Sequence, residues 1–291
     1  MEDRLAPWMR ATLLLTPAAL LVALFMLAPI GLLLAYSLLP ANTMALTAAG
    51  GVTLHNYGRL LLDWYYLRII GSTMIMSLIV TLASVVIAWP LAYFLWRSSK
   101  RWRPILTMGL LAPLLVSIPI RNYGWVVLLD QQGIINQTLI WLGITASPIE
   151  LVHSDFGMVL GLTHVLMPFV VLSALATLDR VNFNIVDAAR TLGAGRLRVA
   201  MEIVFPLAVP GIVSGAILVF CIAISSYVTP ALMGRGGTSV ATLLIYEQFM
   251  KNFDWPFGAA IAIFLVAVSG LVLMTSLWGA NRYFGRLVRG I

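Results

Sequence analysis

The feature that most constrains this chain is a series of six long apolar runs that contain no charged residue. The stretch between Arg10 and Arg59, for example, has no Asp, Glu, Lys or Arg. A helix needs about 17–25 predominantly apolar residues to cross the hydrocarbon core of a bilayer. The runs that meet this length predict six transmembrane helices, at residues 11–39, 69–96, 104–120, 156–178, 206–229 and 257–280.

The composition agrees with an all-α integral membrane protein. Hydrophobic residues make up 61% of the chain and charged residues only 10%, whereas soluble domains have about a quarter charged residues. No soluble domain of appreciable size fits between the spans, so we expect one transmembrane domain over residues 1–291. The net charge of +7 is scattered over the ends of the apolar runs instead of being clustered. Membrane lipid is therefore an expected partner and nucleic acid is not.

The first apolar run and one uncharged stretch outside the six runs need a closer assignment. The first run is longer than the core of a signal peptide, so we expect an uncleaved first helix. The stretch from Gln131 to Ile149 is uncharged but carries several amide side chains and a proline. We interpret it as an interfacial helix that does not cross the membrane.

The distribution of arginine and lysine predicts the orientation. If the N-terminus lies inside, the inner segments hold 13 of the 18 basic residues and the outer segments hold 5. Cytoplasmic segments of membrane proteins are enriched in arginine and lysine. Both termini, and the longest inner segment at residues 179–205, are therefore predicted to be cytoplasmic.

This inner segment has the pattern of a docking surface. Ile185, Ala189 and Leu192 share one helical face, and Gly193 weakens the helix after them. A second apolar set precedes Pro206, so we expect two short helices at right angles to the spans. Small side chains on such helices let another backbone approach closely. An ordinary amphipathic helix at the membrane interface would show the same periodicity.

The spacing of the segment resembles a known signature. Permease subunits of binding-protein-dependent ABC importers carry Glu-Ala-Ala, three residues, Gly, nine residues, Ile, one residue and Leu-Pro. Here Asp replaces the Glu and Phe replaces the Leu, and the spacing is the same. The resemblance implies a MetI-like permease fold with six transmembrane helices. It also implies an ATPase-coupling helix, with signature residues Asp187, Ala188, Ala189, Gly193, Ile203, Phe205 and Pro206.

Other stretches are similar to the spermidine/putrescine permeases. They include residues 117–121, 124–129, 132–136 and 254–260. The resemblance implies an inner-membrane permease subunit of a bacterium that carries polyamines inward by alternating access. Permeases for aminophosphonates, amino-acid derivatives and ferric iron are close relatives, so these substrates stay open as alternatives.

The same resemblance implies a set of partners. They are two ATP-binding subunits, a second homologous permease that forms a heterodimer with this chain, and a periplasmic or lipid-anchored substrate-binding protein. ATP and magnesium are expected on the ATP-binding subunits and no cofactor on this chain.

The chain itself lacks the sequence signals of an enzyme. It has no Gly-x-x-x-x-Gly-Lys-Ser/Thr motif for ATP phosphates, and its single Cys221 excludes a paired-thiol metal site. Its three histidines have no metal-ligand spacing, and we expect His164 to have a hydrogen-bonded packing role. No catalytic residue and no metal site is therefore predicted. A membrane enzyme is disfavoured for this reason. An ion-coupled secondary transporter would need intramembrane ion sites or inverted repeats, and neither is visible.

A polyamine path should offer carboxylates and aromatic rings, because both attract ammonium groups. Candidates are Asp63, Asp130, Glu247, Asp254 and Trp255 on the predicted outer side, and Tyr227 late in the fifth span, where it can line the pore. Plainer roles compete with this one. Glu247 is placed to pair with Lys251 one helical turn later, Asp254 is placed to cap a helix before Pro256, and Asp63 can be a solvated loop residue.

Overall fold

A computed structural model describes residues 7–40, 51–235 and 240–288 of the chain. This part is all helical, and one π-helical segment, Val199–Val204, lies between two of the α-helices. In chain order the α-helices are α1 Pro7–Ser37, α2 His55–Leu62, α3 Trp64–Arg97, α4 Trp102–Leu115, α5 Ile118–Leu129, α6 Ile134–Trp141, α7 Asp155–Leu178, α8 Phe183–Thr191, α9 Arg196–Arg198, α10 Phe205–Ile224, α11 Val228–Met233, α12 Ala241–Met250 and α13 Trp255–Val288.

Five continuous helical segments in the described part are long and apolar enough to cross a membrane. They are Leu15–Ser37, Trp64–Arg97, Asp155–Leu178, Arg196–Ile224 and Trp255–Gly279. A sixth candidate is the bent pair of Trp102–Leu115 with Ile118–Trp141. The all-α membrane fold is therefore confirmed, and the six predicted runs correspond to these six candidates.

The third run differs from the uninterrupted span expected at residues 104–120. Helix α4 ends at Leu115, and the chain bends by 95° before α5. Val116 and Ser117 both have extended ψ angles, of 137° and 145°. Pro119 explains the break, because it has no N–H to donate to the carbonyl of Leu115 in a continuous helix. Only α6 of the expected interfacial stretch is helical.

The chain divides into two compact units. Unit 1 comprises Met1–Leu67 with Leu244–Ala267, and unit 2 comprises Arg68–Leu243 with Val268–Ile291. The single transmembrane domain over residues 1–291 stays a prediction.

Unit 2 is built around the pair α7 and α10. Val170 of α7 and Val219 of α10 are fully buried in its core. Glycines on α10 allow the two helices to approach closely. A Cβ at Gly215 would lie 2.7 Å from the Cα of Val170, and Gly211 is similarly placed against the carbonyl of Ser173. Small residues at such crossings are typical of helices packed within membranes.

Unit 1 holds the end of α1 against α2. The Asn56 side chain donates hydrogen bonds from Nδ2 to the carbonyls of Ser37 and Leu39, at 3.0 and 2.8 Å. The hydroxyl groups of Ser37 and Tyr57 lie 2.7 Å apart. The Asn56 bonds satisfy the carbonyl of Ser37, which the end of α1 leaves without a helical partner, and the carbonyl of Leu39 just beyond it. From Leu15 onward, most apolar side chains of α1 are exposed, which suits a helix surrounded by lipid.

Candidate functional site

The predicted coupling helix corresponds to α8. Its N-cap is Asn182, whose Oδ1 accepts a hydrogen bond from the backbone N–H of Asn184 at 3.0 Å. Such a cap satisfies one of the N–H groups that a helix start leaves free. Val186 is buried and Ala189 packs against the core of unit 2, whereas Asp187 and Ala188 are exposed. The helix therefore presents its acid and one alanine on the free face.

Gly193 ends α8 by means of its backbone conformation. Its φ is +86°, in the left-handed region that side chains disfavour. The N–H of Gly193 bonds the carbonyl of Arg190, and the N–H of Ala194 bonds the carbonyl of Ala189. This pair of bonds is a Schellman motif. Nothing lies within 4 Å of the position that a Cβ would take at Gly193, so the space beside it is open to a partner.

The second half of the predicted coupling loop differs from the expectation. We expected a separate short helix before Pro206, but α9 and the π-helical segment continue into α10 as one helix from Arg196 to Ile224. The N–H of Phe205 bonds the carbonyl of Ala200, five residues earlier. Pro206 accounts for this wider turn, because its ring would clash with the carbonyl four residues before it in a regular α-helix.

The other signature residues at this end have structural partners. Ile203 is partly buried against the core of unit 2. Phe205 contacts Trp89 of α3 edge to face, with the ring centroids 4.9 Å apart. Pro206 directly follows the π-helical segment, at the start of α10. Phe205 therefore connects α10 with α3, and the exposed part of the signature lies on α8 and at Gly193.

An ion pair connects α4 with the end of α7. Arg103 Nη2 lies 2.7 Å from both carboxylate oxygens of Asp179. Asp179 is the C-cap residue of α7, and Arg103 is in the first turn of α4. Both residues belong to segments that the charge distribution predicts to be cytoplasmic. The contact brings these two segments to one side of unit 2.

Two predicted path residues, Asp254 and Trp255, lie in unit 1. Asp254 is buried, and its Oδ1 accepts the N–H of Phe257 at 3.3 Å, so the predicted helix cap is confirmed. Its Oδ2 lies 3.0 Å from Nη1 of Arg59, a contact that the sequence did not predict. Trp255 contacts Tyr36 and Phe249 through its ring, and its buried indole N–H has no hydrogen-bond partner within the described residues.

The other two predicted path residues of unit 1, Glu247 and Asp63, make local contacts. Glu247 lies 3.4 Å from Nζ of Lys251, which confirms the expected ion pair along α12. Asp63 follows α2, is exposed, and accepts the N–H of Tyr65 at 2.9 Å. It also lines an open cavity of about 560 Å³, together with His55, Gly58, Arg59, Leu62 and Trp64.

The last two predicted path residues lie in unit 2. Asp130 is exposed at the C-cap of α5, and its Oδ2 accepts the N–H of Gln132 at 3.1 Å. It lines a cavity of about 580 Å³ between α5 and α6. Tyr227 precedes α11 and is about one-third exposed. The six predicted residues therefore divide between the two units.

Sequence reasoning missed two arginines that have structural roles. Arg121 donates from Nη1 to the carbonyl of Pro113 at 2.7 Å, across the bend between α4 and α5. Arg59 pairs with Asp254. Both belong to the few basic residues on the predicted outer side. Their departure from the positive-inside pattern was the sequence signal that could have indicated a structural role.

His164 has the packing role that was expected of it. Its Nδ1 accepts a hydrogen bond from Trp125 Nε1 at 3.2 Å, and the two rings contact edge to face. Within the described residues no group of three or more His, Cys, Asp or Glu side chains is placed to hold a metal ion.

Apolar helices of membrane-spanning length, with an exposed short helix between two of them, define the class of this protein as a multi-pass membrane protein. Residues 74–289 match the family of "Binding-protein-dependent transport system inner membrane component". The chain belongs to this family, and it is therefore a multi-pass protein of the inner membrane. The family is that of a membrane component and not of an ATPase, which confirms that the chain is not itself an enzyme. It also argues against an ion-coupled secondary transporter.

Relatives with clear sequence similarity are permeases. The chain is 35% identical to the "Spermidine/putrescine transport system permease protein PotB" of Salmonella typhimurium (strain SL1344), over 82% of this chain and 83% of the relative. It is 36% identical to the protein of the same name from Escherichia coli (strain K12), over 81% of this chain and 85% of the relative. The predicted similarity to this permease group is confirmed.

Solved structures share the fold at low identity. A bacterial alginate ABC transporter, in complex with alginate pentasaccharide-bound periplasmic protein, aligns with a TM-score of 0.76 and 19% identity over 95% of both chains. The MetNI methionine ABC transporter, described as inward facing, aligns with a TM-score of 0.58 and 16% identity over 76% of this chain and 97% of that one. The expected MetI-like ABC permease fold is thereby confirmed.

Proposed function

We propose that this chain is the permease subunit of an ATP-driven ABC importer for polyamines such as spermidine and putrescine. The observation that carries the proposal is the 35–36% identity to spermidine/putrescine permeases over more than four-fifths of both chains. The match extends across the spans as well as the coupling signature. Similarity of this extent supports a common substrate class better than a short motif does.

Other substrates have weaker support. The chain is 27% identical to the "Inner membrane ABC transporter permease protein YdcU" of Escherichia coli (strain K12), over 70% of this chain. It is 29% identical to a "Probable molybdenum ABC transporter permease protein" of Haloferax volcanii, over 69%. Aminophosphonates, amino-acid derivatives and ferric iron stay as alternative substrates of the same importer class.

The partners follow from this function. The chain would pair with a second, similar permease, and the pair would bind two ATP-binding subunits and a separate substrate-binding protein. ATP and magnesium would bind to the ATP-binding subunits. A transporter must release what it carries, so high affinity for the substrate would belong to the binding protein.

The coupling role belongs to α8 and the helix that follows it. With both termini in the cytoplasm, the exposed face of α8, which carries Asp187 and Ala188, would lie in a cleft of an ATP-binding subunit. Movement of that subunit would reach α10 through the continuous helix from Arg196. ATP must bind more tightly to the outward-facing state for its binding to shift the two-state equilibrium.

The substrate path would follow the acids and aromatic rings on the predicted outer side. Asp63 and Trp64 are exposed in an open cavity of unit 1, where a carboxylate and an indole ring would attract an ammonium group. Asp130 lines a second open cavity, in unit 2. Tyr227, Asp254 and Trp255 are further candidates, whereas the ion pair of Glu247 with Lys251 makes Glu247 the weakest of the set.

The test is uptake by the complete transporter in proteoliposomes. The chain is co-purified with its partner subunits and reconstituted with external binding protein and internal ATP. We expect uptake of radiolabelled putrescine and spermidine that requires both ATP and the binding protein. Ferric iron and 2-aminoethylphosphonate serve as competing substrates. Undiminished uptake without the ATP-binding subunits would contradict the importer. Absence of polyamine uptake by a complex that imports one of the competing substrates would contradict the polyamine as substrate.

A further inference from the structure

We propose that Asp254, Tyr66 and Phe257 form a cation site for an organic ammonium group, and that the guanidinium of Arg59 occupies this site until the ammonium group of a substrate displaces it. The cation would enter through the cavity that Asp63 and Trp64 line. The identity of the cation rests on the proposed function.

The site has the parts that an organic cation needs. The guanidinium carbon of Arg59 lies 4.0 Å from the ring centroid of Phe257 and 5.7 Å from that of Tyr66. Tyr66 and Phe257 contact each other edge to face at 4.8 Å. Carboxylate and aromatic faces together bind ammonium groups as well as guanidinium groups. The geometry is therefore that of a general site for organic cations.

Arg59 lies between this site and the open cavity. Its Nη1 contacts Asp254, and its Nη2 donates to the hydroxyl of Tyr66 at 3.1 Å. The Arg59 side chain is 39% exposed, whereas the Asp254 side chain is 9% exposed. Arg59 also lines the cavity of about 560 Å³ that holds Asp63 and Trp64. A molecule in the cavity thus reaches Arg59 before it reaches Asp254.

Electrostatics explains why only a cation would displace Arg59 from Asp254. Removing Arg59 from Asp254 without replacement leaves a buried carboxylate unpaired, which is strongly unfavourable. An ammonium group that takes the place of the guanidinium keeps the carboxylate neutralised. The displaced Arg59 can stay near water, because its side chain is already partly exposed. Uncharged or anionic cargo has no such exchange available, so the ion pair would also contribute to selectivity.

The direct test labels a thiol at the position of Arg59. Arg59→Cys is made in a Cys221→Ala background, assembled with all partner subunits, and treated with a cationic trimethylammonium-ethyl thiosulfonate reagent. Butylammonium and putrescine should each slow the labelling, by about tenfold at ten times the dissociation constant. Butanol and sodium chloride at matched ionic strength should not. Leu61→Cys, an exposed α2 position outside the cavity lining, is the control and should show no protection.

A second variant separates displacement from a purely structural ion pair. Arg59→Gln removes the resident cation, and the dissociation constant of putrescine for the complex without the binding protein should fall by about tenfold if the site is free only about a tenth of the time in the wild-type protein. Arg59→Lys should keep the wild-type dissociation constant. A structural ion pair would lower the amount of assembled complex in Arg59→Gln and leave this dissociation constant unchanged.

The outcomes distinguish this site from the proposed function. Protection of the Arg59→Cys thiol by butylammonium, in a transporter that does not import polyamines, would keep the site and contradict the polyamine substrate. Putrescine uptake by the wild-type complex, without protection of the thiol and without the change in dissociation constant in Arg59→Gln, would overturn the site and keep the function.

Discussion

At the residue scale, Gly193 shows how one position serves both folding and docking. The sequence indicated that Gly193 weakens the helix and that a small residue there lets another backbone approach. The φ of +86° shows that the backbone conformation itself requires glycine or a residue that tolerates the left-handed region. The open space beside it leaves room for a partner, so two separate reasons for glycine coincide.

Two substitutions at Gly193 separate these reasons. Gly193→Val should lose the Schellman ending of α8, at a cost of about 1–3 kcal/mol, because a β-branched residue is strained at positive φ. Gly193→Asn should keep the helix ending, since asparagine is tolerated there. If close approach of the ATP-binding subunit also requires glycine, both variants should lose ATPase stimulation by the substrate-binding protein.

The measurement is ATPase activity of the assembled complex, with membrane insertion checked by the amount of permease in the membrane fraction. Gly195→Ala is the matched control, because Gly195 has an ordinary φ of −67° and open space around it. Full coupling in Gly193→Asn would show that only the helix ending matters. Full coupling in Gly193→Val as well would contradict the docking role.

Gly215 provides a residue-scale test of the α7–α10 contact. A Cβ here would lie 2.7 Å from a backbone atom, which cannot move as a flexible side chain can. Gly215→Val should therefore destabilise the protein by about 1–3 kcal/mol, in the range of overpacked cores. Thermal unfolding of the purified complex measures it. Gly270→Ala, where nothing lies within 4 Å, should leave the midpoint unchanged or raise it. Equal midpoints for both variants would contradict the close crossing.

At the scale of elements, the π-helical segment sets the rotational register between the coupling region and α10. One residue more than an α-helix would use is accommodated in Val199–Val204. Removing one residue here should restore α-helical bonding. The chain before the deletion would then rotate by about 100° about the helix axis, relative to α10, and shift by about 1.5 Å along it. The exposed face of α8 would then point in a different direction relative to α10.

Deletion of Met201, which is exposed, tests this register. We expect normal insertion of the deletion variant and loss of ATP-driven uptake. Met201→Ala is the control, since it shortens the side chain and keeps the length of the helix. Unimpaired uptake in the deletion variant would mean that the register of this segment does not matter for coupling.

At the scale of the whole molecule, the charge distribution predicts which side of the membrane each segment occupies. Lys100, between α3 and α4, is predicted to be cytoplasmic, and Glu150, before α7, is predicted to be outside. Both are exposed. In a Cys221→Ala background, a membrane-impermeant maleimide added to whole cells should label Glu150→Cys. It should label Lys100→Cys only after the membrane is opened. The reverse pattern would contradict the predicted orientation and, with it, the coupling role of α8.

The sequence determined the features that depend on local composition and spacing. Uncharged runs predict spans because a bilayer penalises charge wherever it lies in a span, and the coupling signature is continuous in the chain. The proline positions were also visible in the sequence, but the effect of a proline on its helix differed between sites. Pro119 divides the third run, whereas Pro206 is accommodated by a wider turn of one continuous helix.

Only the tertiary structure decided which charges meet. Arg59 and Asp254 are 195 residues apart in the chain, and Arg103 and Asp179 are 76 apart. No periodicity connects such positions, because their proximity follows from how the helices pack. Asp254, which the sequence analysis named as a candidate ligand for a substrate cation, is therefore already paired with Arg59. The sequence by itself determined that this chain crosses a membrane and which segment can dock; the packing of its helices decided which carboxylates are available.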